Sequence, residues 1–396
     1  MWVNVSLYFN TQGKGMTKNH ELIARLNFLE EELKQNDLGD RMQSLFPEGK
    51  VFVNALYGLS WCEVARQSDK SSDLYARSLV EARFAYSEII ADDCKLSFPI
   101  YLDPEYGIFY QGWSNYLLSN ILDVQDSSTI TEDEFTSSQY KCGIISDAIK
   151  SASSPYIETY QGQSWPADVS IAIASLSLVK TEEHKILINK WVEDVKQHLD
   201  EYTGMIPHKT NPATGETIEG ARGCSSSLIL RMLSEIDKSF ADEQLKLYQN
   251  SFLFTRLGLP AIREYPKGKS GWGDIDSGPV VFGVGFAGTI VGVSAFQKLG
   301  HQQQADALYS TVTSFGFETK FGNEKHVLAG LLPMGDAFLT WSRLSINNNT
   351  MFTNYPVIKG GLGSWRLMFN LWSLLLMFSI TLPMYLKLPV TRKRKK

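Results

Sequence analysis

Four carboxylates stand in surroundings that suit proton transfer: Asp168 in "QSWPAD", Glu264 in "AIREYPKG", and Asp274 with Asp276 in "GKSGWGDIDSGP". The last two are the sharpest feature of the chain. A single carboxylate is enough to cap a helix, whereas two so close together raise the pKa of one of them. A protonated acid beside an ionised one is what general acid and base chemistry uses. Taken singly, each Asp has a plainer role. The first turn of a helix offers unpaired N–H groups and partial positive charge, which Asp168 and Asp276 are placed to meet, and Pro279 suits a first helical position.

Rings and bases accompany the acids. Tyr110, Trp113, Trp165 and Trp272 fall in glycine-containing segments that lead into apolar helical runs. There their faces can stack on a sugar or an apolar chain, or stabilise a developing cation, with core packing as the alternative. Arg222, between Gly220 and Gly223, is suited to hold a substrate oxygen or to neutralise an Asp across an opening. His208, in "MIPHKTNPATGE", sits in a turn-rich hairpin that would fold over a mouth, a plain surface histidine being the alternative. For Glu264 the alternative is a surface salt bridge. The serines beside Cys224 have no evident histidine partner in sequence and read as the start of a buried helix.

The elements that would position these residues are helices. Periodicity predicts about twelve over residues 20–35, 51–67, 73–92, 106–122, 136–150, 166–179, 184–200, 224–236, 242–255, 280–299, 303–315 and 333–344, with few strand signals. "ELIARLNFLEEELKQ" is amphipathic, with Leu22, Leu26 and Leu29 on one side, whereas "DVSIAIASLSLV" and "VVFGVGFAGTIVGVSAF" are apolar or small almost all round. Alternation of wet and dry helices is what two concentric rings require. The expected fold is therefore all-α, an (α/α)6 toroid over residues 17–345, with an irregular helical bundle as the alternative. In a toroid the inner helices run parallel. The lead-ins "YGIFYQGW", "YQGQSWPAD", "IEGARGCSSS", "GKSGWGDIDSGP" and "LLPMGDAF" would then meet around one hole.

Composition excludes several classes. A formal charge of -5 gives no broad basic surface for nucleic acid. Cys62, Cys94, Cys142 and Cys224 match neither a zinc spacing nor a CxxC pair and read as buried thiols. "GVGFAG", residues 283–288, lacks the preceding strand of a dinucleotide site and reads as close helix packing. There is no P-loop, no HExxH and no GxSxG. No metal and no cofactor is expected.

The C-terminal stretch "LMFNLWSLLLMFSITLPMYL", residues 367–386, is uncharged and long enough for a bilayer core, and "KLPVTRKRKK" follows it. This predicts a linker over 346–365, a transmembrane helix over 366–387 and a basic cytoplasmic tail over 388–396. The toroid would lie on the periplasmic, extracellular or lumenal side. A buried terminal helix with a solvated tail is the alternative.

The order of the lead-ins resembles the linalool dehydratase-isomerase family, whose fold belongs with the six-hairpin glycosidase toroids. The likeness covers roughly residues 100 to 305, in "YGIFYQGWSNYLLS", "QSWPADVSIAIASLSL", "NPATGETIEGARGCSSSLILRML" and "AIREYPKGKSGWGDIDSGPVVFGVGFAGTIVG". The chain departs from the family at Trp113, where the family carries a histidine, and at Trp165-Pro166, where it carries cysteines. The resemblance implies the toroid and the place of its pocket.

Three functions fit this reading. The first is a membrane-anchored enzyme acting on a carbohydrate or glycoconjugate, with Asp168 and Asp274 or Asp276 as acid and base, Glu264 as a third carboxylate and the tryptophans as ring platforms. The second is a dehydratase-isomerase-like lyase or isomerase acting on an allylic or terpenoid alcohol. The third is a tethered toroid that binds a small molecule or glycan without catalysis.

Overall fold

The computed structural model describes residues 3, 15–256, 258–274, 277–278, 280–316, 318–345 and 363–386. Six helices form the inner wall: α3 (Gly49–Arg66), α5 (Gly107–Val124), α7 (Pro166–Val179), α9 (Gly223–Ile236), α11 (Phe286–Lys298) and α13 (Pro333–Leu344). Each packs on the next, and α13 packs back on α3, so the ring closes. Outside it lie α1 (Gly15–Gln35), α4 (Asp73–Ile90), α6 (Glu132–Ser151), α8 (Glu182–Lys196), α10 (Lys238–Ser251) and α12 (Gln302–Phe315); α2 (Leu38–Leu45) packs on α3. The order is outer then inner, six times. The expected (α/α)6 toroid is what the chain builds.

Residue types explain the two rings. Leu22, Leu26 and Leu29 of α1 are buried along one stripe, as in a helix that shows its other face to water. Helix α7 is enclosed from Pro166 to Leu176. Small residues let such helices close up. The missing side chain of Gly112 makes room for Ala172, and that of Gly288 for the backbone at Gly223 and Cys224.

The two faces of the ring differ. Connections from an inner helix to the next outer one are short, residues 67–72, 125–131, 180–181, 237 and 299–301. Those from outer to inner are long, residues 91–106, 152–165, 197–222, 252–285 and 316–332. All four two-stranded hairpins fall in the long set: β1 (Lys209–Thr210) with β2 (Thr217–Glu219), β3 (Leu253–Arg256) with β4 (Leu259–Ile262), β5 (Val280–Val281) with β6 (Val284–Gly285), and β7 (Thr319–Phe321) with β8 (Glu324–His326). Two expected helices are shortened accordingly. The predicted span 242–255 ends at Ser251 because Gly258, with φ 83°, turns the chain back on itself, and 280–299 begins only at Phe286 because Gly283, with φ 83°, makes a second turn. "GVGFAG" thus runs from a hairpin turn into a helix start, and is not internal to a helix.

A buried ionic knot ties the C-terminal halves of the inner helices. Glu63 of α3 meets Lys298 of α11 at 3.4 Å and Arg66 at 3.2 Å. Arg231 of α9 reaches Glu235 at 2.7 Å and Glu63 at 4.0 Å, and its guanidinium lies 5.3 Å from the Trp341 ring of α13. Tyr116 of α5 donates to Glu235 at 2.6 Å. Burial alone would raise Glu235, but Arg231, Lys298 and the Tyr116 hydroxyl outweigh it and hold the carboxyl at about 2. Helix C-termini favour cations, which suits Arg66, Lys298 and Arg343 in the last turns of α3, α11 and α13.

Helix α14 (Gly363–Leu386) occupies the apolar C-terminal stretch. Among the described residues no helix is long and apolar enough to cross a membrane, so the transmembrane helix expected over 366–387 is not supported. The expected tail, 388–396, and residues 346–362 of the expected linker lie outside the described residues. Cys62, Cys94 and Cys142 are buried free thiols as expected, and Cys224 is half-buried.

Two outcomes are expected. Arg231→Met leaves Glu235 and Glu63 under-compensated in the core and will cost about 3–5 kcal/mol in a denaturant titration. Because Glu235 is depressed from 4.5 to about 2, its contribution is complete above pH 4.5 and is lost as the pH falls toward 2. Unfolding stability measured over that interval will drop in the native protein, and Glu235→Gln will flatten the drop.

Candidate active site

All six inner helices begin without a side-chain cap, at Glu48, Tyr106, Trp165, Arg222, Gly285 and Leu332. Outer helices α4, α6, α8 and α10 are capped by Ser72, Thr131, Thr181 and Asp237. Part of the need at the inner starts is met by backbone carbonyls, as where Gly223 N–H donates to Glu264 at 2.8 Å and Ile108 N–H to Glu158 at 3.2 Å. The mouth is therefore a place of partial positive charge, and the acids of the lead-ins gather there.

Arg222 is the hub. It lies just before α9, where Gly223 lets the chain pass against the Arg263 carbonyl. Its side chain is buried and fans out: Nε donates to Glu264 at 2.9 Å, Nη2 to Ser277 Oγ at 2.9 Å, and Nη1 to Asp274 and, at 3.3 Å, to Glu219. The guanidinium also lies 5.2 Å from the Tyr265 ring. Asp274 is fixed in turn by Ser277, whose N–H donates to Oδ1 at 3.0 Å and whose Oγ accepts from Asp274 N–H at 3.0 Å.

The two carboxylates on Arg222 are pushed in opposite directions. Burial raises Glu264, more than Cys224 and Arg222 can lower it. Its Oε1 accepts from the Cys224 thiol at 3.0 Å, and its Oε2 has no hydrogen-bond partner. Asp274, whose side chain is 41% exposed, is raised by its partial burial and lowered further by Arg222 and Ser277, to about 2. Asp274 is thus an ionised group that faces solvent, while Glu264 is enclosed and raised from its ordinary value. The alternative reading of Glu264, a surface salt bridge, is corrected: its ion pair with Arg222 is fully buried.

Trp165 joins this cluster through the β1–β2 hairpin. Its ring carries Lys209 Nζ at 4.7 Å, Lys209 faces Glu219 across the hairpin, and Glu219 reaches Arg222. Asp168, in the first turn of α7, accepts from Thr159 Oγ1 at 3.1 Å. His208 is only 4% exposed, so the plain surface histidine is corrected. Its Nδ1 meets Ser225 Oγ at 3.0 Å, which gives a serine beside Cys224 the histidine partner that the sequence did not reveal. Burial, helped by Arg222, lowers this imidazole to about 3, so it is neutral. Trp272 stands 93% exposed on the rim.

Two expected site residues are elsewhere. Trp113 is fully buried inside α5, packed on Phe52, Phe109 and Trp341, and Tyr110 is buried one turn earlier with its hydroxyl on the Ile89 carbonyl. Both are core residues, because α5 starts at Gly107 and the segment taken as a lead-in is already helix. Asp276 lies outside the described residues. Glu219, Cys224, Tyr265 and Ser277 were not singled out in sequence, although Glu219 and Ser277 stand three residues from Arg222 and Asp274. Among the described residues no group of three His, Cys, Asp or Glu is placed to hold a metal ion.

No protein-family profile matches the chain, and no curated protein sequence matches it. Among solved structures it is similar to a selenomethionine derivative of a GH76 alpha-mannanase from Bacteroides thetaiotaomicron, at 11% identity and a TM-score of 0.46, over 74% of this chain and 84% of that one. A likeness of that size brings neither a family nor an activity to this chain.

Proposed function

We propose that the toroid is an enzyme that acts on a carbohydrate or glycoconjugate at the mouth around Arg222, by carboxylate acid and base catalysis. The observation that supports this most is Asp274, which Arg222 and Ser277 hold low and which stays open to solvent, beside the enclosed Glu264 that burial raises on the same guanidinium. A carboxylate kept ionised at an opening is suited to a base or electrostatic role. Asp274, ionised and open to solvent, is the base or the group that faces a developing oxocarbenium charge. Asp168 is the acid candidate, in the first turn of the neighbouring inner helix α7. Glu264, fully enclosed, is a positioning residue that fixes Arg222. Trp165 and Trp272 offer ring faces for a sugar.

A non-catalytic binding toroid is the second reading. It is favoured by the pairing of acids at this face: Asp274 and Glu264 with Arg222, Asp168 with Thr159, and Asp336 of α13 with Arg25 at 2.6 Å.

The purified chain, assayed against a glycan panel and a panel of allylic alcohols, separates these. Asp274→Asn is expected to lower turnover of the active substrate about 10²–10⁴-fold with little change in unfolding midpoint. Binding that persists in every active-panel compound with no turnover by the native protein would establish the second reading instead, and turnover of allylic alcohols alone would move the activity to the lyase class. Arg222 also sets a pH dependence. Asp274 is held at about 2 against an ordinary 3.8, so the native enzyme will keep its base ionised through mildly acid conditions. Arg222→Lys, with fewer donors on the carboxylate, will shift the acid limb of kcat/KM upward toward 3.8.

A further inference from the structure

The tip of the β5–β6 hairpin is built against the ordinary preferences of its residues. Phe282 takes a left-handed backbone, φ 53°, where a bulky side chain is strained, and its ring is 71% exposed. Neither burial nor backbone preference accounts for a phenylalanine there. Strain of this kind at an exposed position points to a role outside the fold.

The tip belongs to a run of packed elements on the mouth side that leave apolar side chains exposed: β6 bridges to Arg263 after β4, and α14 packs on β4. Trp272, whose ring is 93% exposed, accepts through its backbone carbonyl from Val280 N–H at the start of the same hairpin. Arg256, at the end of β3, donates to the Phe282 carbonyl at 2.9 Å. From there β4 leads to Leu259, on which Phe369 of α14 packs, and Phe369 also meets Phe315 with ring centroids 6.3 Å apart. Beyond Phe369 the helix leaves Leu375, Phe378 and Ile380 exposed. Exposed apolar side chains on neighbouring elements, with a tryptophan among them, mark a site of association.

Charge identifies the partner. Arg256 is exposed against Phe282, Lys267 and Lys269 are exposed on the same connection as Trp272, and six basic residues, Lys387, Arg392, Lys393, Arg394, Lys395 and Lys396, follow α14 in sequence. Aromatic and aliphatic side chains rimmed by Lys and Arg suit the headgroup boundary of an anionic bilayer. We infer that this face, from Trp272 and Phe282 to the exposed side of α14, docks on an anionic lipid surface with Phe282 as its wedge. The mouth around Arg222 then opens beside the lipid. This docking stands apart from the acid and base reading: it holds whether or not the site turns over a substrate.

Phe282→Asn tests it, because asparagine accepts the left-handed backbone while removing the wedge. The full chain is titrated with vesicles of phosphatidylcholine containing phosphatidylglycerol, and with vesicles of phosphatidylcholine alone. The expected result is a partition into anionic vesicles that falls about tenfold on substitution, together with a higher thermal midpoint without lipid. Amide exchange at 280–285 in the native chain will slow when anionic vesicles are added. Unchanged partition in the variant, equal binding to the two vesicle types, or unprotected tip amides overturns the proposal. So does a lipid-free dimer that the substitution dissociates, since that would show a second copy to be what covers the face.

Discussion

Six inner helices pointing the same way set the terms for the rest of this molecule. Each adds its dipole and its unpaired N–H groups to one mouth and its unpaired carbonyls to the other. None of the six has a side-chain cap at its start, so acids come from the long connections instead. The opposite end collects Arg66, Arg231, Lys298 and Arg343. Charge is therefore sorted along the axis of the ring, although the chain as a whole is close to neutral. Among the described residues the long connections carry every hairpin, and Trp165, His208, Glu219, Arg222, Glu264 and Asp274 with them, because on that face there is enough chain to fold over an opening.

Much of this was legible in sequence, and the reasons are local. Helices 166–179 and 333–344 were bounded correctly because Pro166 and Pro333 mark first turns. The ring itself followed from the contrast between amphipathic and uniformly apolar helices. What failed was judging aromatic residues near glycine. Gly112 looked like a loop signal beside Trp113, yet its small size serves the contact with Ala172 between two helices. A glycine that allows helices to approach and a glycine that frees a turn have the same letter. Only the φ of Gly273 or Gly283, both left-handed, against that of a helical glycine tells them apart.

The site was legible as a list of residues but not as a set of pairs. Asp274 and Asp276 were expected to perturb each other, and the perturbing partner found for Asp274 is Arg222, far away in sequence. Likewise the Ser225 contact to His208 joins a helix start to a hairpin, and the Cys224 contact to Glu264 joins that helix start to the exit of β4. These pairings depend on which connections fold over which helix starts. Periodicity contains no information about that.

Two buried arginines show why residue type alone does not identify a site. Arg231 binds two carboxylates and Arg222 three, and each lies near an aromatic ring, Trp341 in one case and Tyr265 in the other. Around Arg231 both acids, Glu63 and Glu235, are enclosed, and both are held low by several cations. Such a knot has no proton to give and no group that a ligand can reach; its effect is on stability and helix register. Around Arg222 the symmetry is broken. Glu264 is enclosed and raised, whereas Asp274 is lowered and open to solvent. One guanidinium cannot satisfy an enclosed and an exposed carboxylate equally. The difference in solvation, more than the charges themselves, separates an enclosed ion pair from a carboxylate that a ligand can reach.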